Sequence, residues 1–555
     1  MPPKRKTDFL KPKPKAKGKA PEPQSEDDFL DVADEFERSA GKWRAGDAAK
    51  AARFFNRAID MYNEGLKQYP KSFDLAYNKA NLEYNITEDE RIVSHFGSRI
   101  ALLEETLQSH RFATTLNSDN IDVLFNTAQV LTSLAEAILE AQGHAISRIP
   151  ARALLEEAVD IFTKCLDSQQ NEYEQMQAEI AKAQASEAYQ DDSEDAQKRA
   201  SQSSTVQEDM ETESTASSGA GEWAHVVEPV TPETLLETCT AQLGALTTLL
   251  GLYDPSELAN MEKRAQSGLE TATTKIPTLI DLVKDSPFSK PAPTAGPTLS
   301  IAPSSSTPAD EDSSSPKADA LLAAAAFRAS IAEATFRTGQ SQPQTYLSTL
   351  EQIFQPLTSP QPSGVAPVVE PSNAHSAYAD ALMELASAIA DTPSYPSHGP
   401  SAPQDLDTQW TALSRAQTIL TALASPPAAA SLAPERLADV FLARGDVDLF
   451  RFRIGGFEGA KPAWAGSRAV LVANAGVFYR GARSYAERAG VMGVRGTADA
   501  KAIVAEVIKE AFAGSGERKA HWKGRGGDMA RAVEEMVAEG IVGVGDMEKV
   551  VGFTA

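Results

Sequence analysis

The sequence predicts an all-α protein of helical hairpins set in series and interrupted by long insertions of disordered composition. Three observations carry this. Apolar residues recur at spacings of three and four through most of the chain, and no convincing stretch alternates apolar with polar as a half-buried strand does. Two segments 48 residues apart, LAYNKANLEY at 75–84 and VLFNTAQVLT at 123–132, repeat one another in an aromatic-Asn pair followed by Ala, an amide and an aliphatic residue. Stretches rich in Pro, Ser and Thr, or in acidic residues, separate the patterned blocks and lack the apolar content to order themselves.

Residues 1–27 are a basic tail. Eight basic residues between Lys4 and Lys19 stand against Asp8 alone, and the prolines and Gly18 disfavour a helix. Pro3 followed by Lys4, Arg5 and Lys6 has the form of a nuclear-localisation signal, with Lys11 to Lys19 as a second cluster. A solvated basic arm that touches RNA non-specifically is the plainer alternative. Ser25 precedes Glu26, Asp27 and Asp28, the context of an acidophilic kinase target. Phosphate there adds up to about two negative charges beside the tail.

Residues 28–168 read as successive helices. The first spans 28–45, with Phe29, Val32, Phe36 and Trp43 expected on its buried side; the second spans 48–68. After Gly46-Asp47 come Ala51, Phe55 and Ala58, a small–aromatic–small row at spacings of four and three that lies on one helix face. Ala158, Phe162 and Cys165 repeat the row, which makes Cys165 a buried small side chain rather than a nucleophile. Between them, His110-Arg-Phe-Ala113 matches poorly. This block resembles three degenerate tetratricopeptide (TPR) repeats, and the resemblance implies a right-handed solenoid of helical hairpins. It also implies a concave groove lined by the first helix of each pair. Asn78, Asn81 and Asn85, spaced three and four, with Asn126 and Gln129 on the next repeat, are then the candidate groove residues. Their amides suit an extended peptide backbone without selecting charge. The plainer reading makes them solvent-facing or loop-capping residues. A TPR clamp for a heat-shock chaperone's terminal carboxylate is not supported: its five positions fall on Phe36, Ala40, Asn78, Asp122 and Asn126, where Asn78 alone matches and Asp122 has the wrong sign.

Residues 169–222 form an acidic insert, with 13 acidic residues against 3 basic. Residues 172–189 can prolong the preceding helix, whereas 191–221 is expected to stay disordered. Such a tract can mimic nucleic acid toward a basic protein, ribosomal or histone-like, or serve as a solvated linker. Residues 223–284 read as a helical hairpin continuing the solenoid, opened by Thr231 as N-cap and Pro232 at the first helical position, with Cys239 in its core. Residues 285–316 are a Pro/Ser linker, and 317–555 a helical region with Pro/Ser-rich loops. In that last region helices are expected near 317–338, 346–357, 375–389, 408–423, 434–452, 467–488, 497–512 (capped by Thr497) and 528–539, with Gly543 to Asp546 as a turn.

The net charge of −24 argues against a nucleic-acid-binding body. Two cysteines in 555 residues argue against a disulfide framework, and no run of about 18 apolar residues predicts a membrane span. The N-terminus lacks the apolar core of a signal peptide. No metal-ligand spacing, phosphate loop or activated nucleophile appears, so a non-enzymatic protein without cofactor or metal is expected. The sum points to a TPR-like adaptor or dedicated chaperone of the nucleus and/or cytoplasm, with a basic protein client held by groove and acidic insert. The alternative is a regulatory scaffold bridging two proteins in translation or transcription; the layout resembles that of fungal TPR-like nuclear proteins acting in translation termination.

Overall fold

A computed structural model describes residues 23–141, 144–200, 229–253, 257–285, 315–359, 367–392, 395, 403–514, 522 and 524–554. Among the described residues the chain is helical without strands. No described helix is long and apolar enough to cross a membrane. The chain divides into two compact units, Met1–Ser147 and Arg148–Ala555, so residues 28–168 span the division. Lys4, Arg5 and Lys6 lie outside the described residues, as does 201–222 of the acidic insert.

Unit 1 packs each helix on its neighbour in sequence. Helix α1 (Glu26–Arg44) lies on α2 (Ala48–Gln68), and α2 on α3 (Phe73–Thr87). After the short α4 (Glu90–Val93), α5 (Arg99–Leu116) packs on α3, and α6 (Ile121–Ala141) on α5. Ser25 opens α1 in a capping box: its Oγ accepts from Asp28 N at 3.2 Å, and the Asp28 carboxylate accepts from Ser25 N at 3.0 Å. Ala51, Phe55 and Ala58 are buried against Phe29, Ala33 and Ala40. Gly65 is required by a close approach, since a Cβ there would meet Leu75 and Phe29 at about 3.0 to 3.1 Å.

Two expectations fail in this unit. Trp43 is 40% exposed rather than buried, and the Lys50 ammonium sits 3.0 Å from its ring centroid. In α5 the buried row is Thr106, His110 and Ala113, again spaced four and three, while Phe112 is 41% exposed. Burial lowers the His110 pKa, and its Nδ1 lies 3.1 Å from the Thr106 carbonyl, so the imidazole packs as a neutral aromatic ring.

Unit 2 begins within α7 (His144–Ala200), which buries Ala158, Phe162 and Cys165 as expected from their spacing. The helix continues past Gln190 into the acidic stretch expected to be unordered, reaching Ala200. Adding a residue to an existing helix needs no new nucleus, and Ala, Gln, Glu, Lys and Arg propagate well. Helices α8 (Pro232–Leu250), α9 (Leu258–Glu270) and α10 (Ile276–Asp285) follow. A π turn, Thr271–Lys275, joins α9 to α10 just before Pro277, which has no N–H to donate and would crowd the Thr273 carbonyl in a regular helix. Gln242 ties the bundle together, donating to Thr163 Oγ1 on α7 at 2.9 Å and accepting from Thr271 Oγ1 at 2.9 Å.

The remaining helices are α11 (Pro316–Arg337), α12 (Pro343–Thr358), α13 (Pro371–Ala390), α14 (Pro403–Leu423), α15 (Ala428–Ser431), α16 (Pro434–Ile454), α17 (Pro462–Ala489), α18 (Met492–Ala513), α19 (Gly526–Ala538) and α20 (Val544–Thr554). One apolar core runs from Ala325 on α11 to Val550 on α20. Thr497 is not a cap: α18 begins five residues earlier at Met492 and Thr497 lies in its second turn. The Gly543–Asp546 stretch is the entry to α20 rather than a free turn.

Candidate functional site

Two neighbouring helices of unit 1 present matched polar faces. On α3 the row is Tyr77, Asn81 and Tyr84, spaced four and three. On α6 it is Asn126, Gln129 and Ser133, spaced three and four. The rows meet. Asn126 Nδ2 donates to Asn81 Oδ1 at 3.0 Å and to the Tyr77 hydroxyl at 3.0 Å. Two turns further on, the Tyr84 hydroxyl and Ser133 Oγ are 3.3 Å apart. Tyr77 stacks on Phe73 with centroids 5.4 Å apart, and Tyr84 stands edge-on to His110 at 6.5 Å. Burial raises both phenol pKa values, so both hydroxyls keep their protons at neutral pH.

Of the five amides singled out in the sequence, Asn81 and Asn126 are thus brought into one cluster. Asn78 is exposed and its Nδ2 donates to the Asp74 carbonyl at 2.9 Å, one turn back on its own helix. Asn85 is exposed, and its backbone carbonyl accepts from Arg44 Nη2 at 3.4 Å. Gln129 is half-buried beside Asn126. The phenols of Tyr77 and Tyr84 and the hydroxyl of Ser133 complete the seam. The sequence reading singled out neither tyrosine for the groove, although their i, i+4, i+7 spacing with Asn81 placed them on the same face.

The charges that α3 and α6 set beside the seam are acidic. Asp74 on α3 and Glu88 just past its end bracket it, and Asp122, Glu136 and Glu140 follow the same face of α6; all five are exposed. Arg99, from the start of α5, stands 3.9 Å from Glu140. Lys79 belongs to the other side of α3, where its Nζ is 3.2 Å from the buried Glu83 carboxylate and 3.2 Å from Ser109 Oγ on α5. Burial raises the Glu83 pKa, partly offset by that ammonium.

Unit 2 holds its titratable groups inside. Lys501 on α18 is 5% exposed, and its Nζ donates to both Asp446 oxygens, on α16, at 3.0 and 3.1 Å. The Tyr479 hydroxyl, on α17, donates to Asp446 Oδ1 at 2.7 Å. Burial opposes the Lys501 charge, but Asp446 and Glu539 outweigh it and hold its pKa above the ordinary value. Two residues along α16, Asp448 is 2% exposed and its pKa is pushed up to about 6 by burial, against the pull of Arg451 and Asn474. The Asp446–Tyr479–Lys501 trio ties α16, α17 and α18 together, and Asp448 ties α16 to α17 through Asn474.

Fold and face together define an all-α protein with a half-buried, polar, acid-flanked helical seam. No family model matches the chain. Over 110 residues it is 31% identical to the UPF0656 protein C926.02 of Schizosaccharomyces pombe, a match covering 20% of this chain and 24% of that relative. The chain therefore spans about a quarter of that relative's length.

Proposed function

We propose that unit 1 is a TPR-like stack of helical hairpins and that the protein is a non-enzymatic adaptor or dedicated chaperone, nuclear and/or cytoplasmic, whose α3–α6 seam holds an extended segment of a protein client. The observation that carries this is the Tyr77–Asn81–Asn126 cluster, an exposed-edge set of amide and hydroxyl groups already oriented across two helices. Preorganised donors and acceptors of this kind bind a peptide backbone at little further cost in side-chain entropy. The flanking carboxylates favour a basic client, ribosomal or histone-like, and the acidic tract after α7 works in the same direction. The division into two compact units supports the second reading, a regulatory scaffold in translation or transcription with one partner on each unit.

Affinity capture tests it with three chains: intact, Asn81→Ala with Asn126→Ala, and one lacking residues 183–222. Deletion from 183 spares the buried Gln169. Retention of one basic protein that is salt-sensitive and lost from both altered chains supports the chaperone. Several partners retained after the deletion favour the scaffold. A captured set unchanged by the seam substitutions removes the seam from the mechanism.

A further inference from the structure

We propose that residues 11–19 of this chain dock on the α3–α6 seam, so that the basic tail occupies the surface a client would take; this rests on the reading of that seam as the binding groove. Three observations support it.

The first is charge. The seam is flanked by five exposed carboxylates against one guanidinium, Arg99 of α5 beside Glu140, and α3 and α6 themselves present no cation on that face, since Lys79 is engaged with Glu83 on the other side. A predominantly acidic surface favours a basic occupant. The second is period. In KPKPKAKGK every odd position from Lys11 to Lys19 is lysine. Docked as an extended strand, the segment would turn all five ammonium groups to one side, about 6.6 Å apart. Nine extended residues cover about 30 Å, and the α6 face from Asp122 to Glu140 runs about 27 Å. Pro12 and Pro14 bring no backbone N–H that needs an acceptor there, and their carbonyls suit the amide donor of Gln129.

The third is attachment. The Gln24 carbonyl accepts from the Tyr69 hydroxyl at 2.7 Å, and Ser72, the N-cap of α3, bonds Glu26. The chain therefore joins the folded unit at the N-terminal end of α3, two residues from Asp74. The five Cα–Cα steps from Lys19 to Gln24 reach up to about 17 Å, enough to bring the lysine run onto the face. Tethered this closely, the tail acts at an effective concentration on the order of 1 mM. A free-peptide Kd of about 100 μM would then leave roughly a tenth of the seams open and weaken any competing basic ligand about tenfold.

The test uses full-length chains and a fluorescent peptide with the sequence of residues 1–22, read by anisotropy at low and physiological salt. The compared chains are the intact protein and one with Lys11, Lys13, Lys15, Lys17 and Lys19 changed to Gln. The expected result is about tenfold tighter, salt-sensitive peptide binding by the Lys→Gln chain, lost on adding Asp122→Asn and Glu136→Gln. Both of those positions are exposed, so folding is preserved and a thermal melt verifies it. Equal binding by intact and Lys→Gln chains that still depends on Asp122 and Glu136 overturns tail docking and leaves the seam as a groove for basic peptides. Binding indifferent to Asp122 and Glu136, or none to either chain, overturns tail docking and the basic-client reading together.

Discussion

Replacing Asp446 with Ala tests whether the interior charges of unit 2 act as a lock. The substitution removes the acceptor of three hydrogen bonds, two from Lys501 at 3.0 and 3.1 Å and one from Tyr479 at 2.7 Å. Lys501 is then left 5% exposed, with Glu539 at 4.0 Å as its remaining ion pair. Breaking a buried pair in this way costs about 3–5 kcal/mol, because the penalty is the stranded charge rather than the lost attraction. With a urea m value of about 3 kcal/mol/M, a loss of 4 kcal/mol lowers the unfolding midpoint by about 1.3 M. Trp410, Trp464 and Trp522 lie in unit 2, and Trp410 stacks on Trp464 with centroids 4.5 Å apart, so tryptophan fluorescence follows this transition. The same reasoning predicts recovery. Asp446→Leu with Lys501→Met and Tyr479→Phe removes all the stranded polar groups, and should return the midpoint to within about 1–2 kcal/mol of the parent. A loss below about 1 kcal/mol for Asp446→Ala, or a triple variant no more stable than the single one, would refute the lock.

Other substitutions read neighbouring features. A Cβ on Gly445 would stand within 3.0 Å of three ring atoms of Tyr479, whereas nothing lies within 4 Å of one on Gly244 in α8. Gly445→Ala should therefore cost about 2 kcal/mol or more by overpacking, and Gly244→Ala should gain up to about 1 kcal/mol of helix propensity, both read by urea unfolding. The folded protein keeps the Asp448 proton up to about pH 6, while the unfolded chain releases it near pH 4. Unfolding between those values releases a proton, so stability falls as the pH rises through that window, by about 3 kcal/mol from this group; Asp448→Asn should flatten that part of the stability–pH profile. Cys165 and Cys239 are both free and buried, and burial pushes the Cys239 thiol up to about 12. Neither should react with a disulfide reagent in the native protein at pH 8, and both should titrate in urea. Ser25→Ala should lower unit 1 stability by about 1 kcal/mol, as fraying of the first turn of α1 seen by hydrogen exchange.

Helix existence was legible because burial follows local spacing, and the misses have local causes. Helices α12, α13, α14 and α17 start earlier than expected at Pro343, Pro371, Pro403 and Pro462. Proline was counted with the linkers there, although at the first helical position its missing N–H would be unpaired anyway. The buried row of α5 matched the pattern poorly in sequence because its middle slot holds His110 rather than a phenylalanine or tyrosine. In the structure the neutral imidazole fills the slot, so Thr106, His110 and Ala113 match the rows of α2 and α7 after all.

Contacts between helices were less legible, since they depend on how two helices are set against each other. Spacing placed Asn81 on one face and Asn126 on another. That their amides meet depends on the stagger of α3 against α6, which nothing within either segment encodes. Asp446 and Lys501 are 55 residues apart on helices that each read as ordinary, and neither residue signals that it faces inward. The two kinds of polar cluster also answer the functional question differently. A buried, mutually satisfied trio has used its hydrogen-bonding capacity on itself and gives up only stability when cut. The amide cluster of α3 and α6 is only half-buried, and geometry brings together there Asn81 and Asn126 of the five amides that spacing singled out, while Asn78 and Asn85 stay apart.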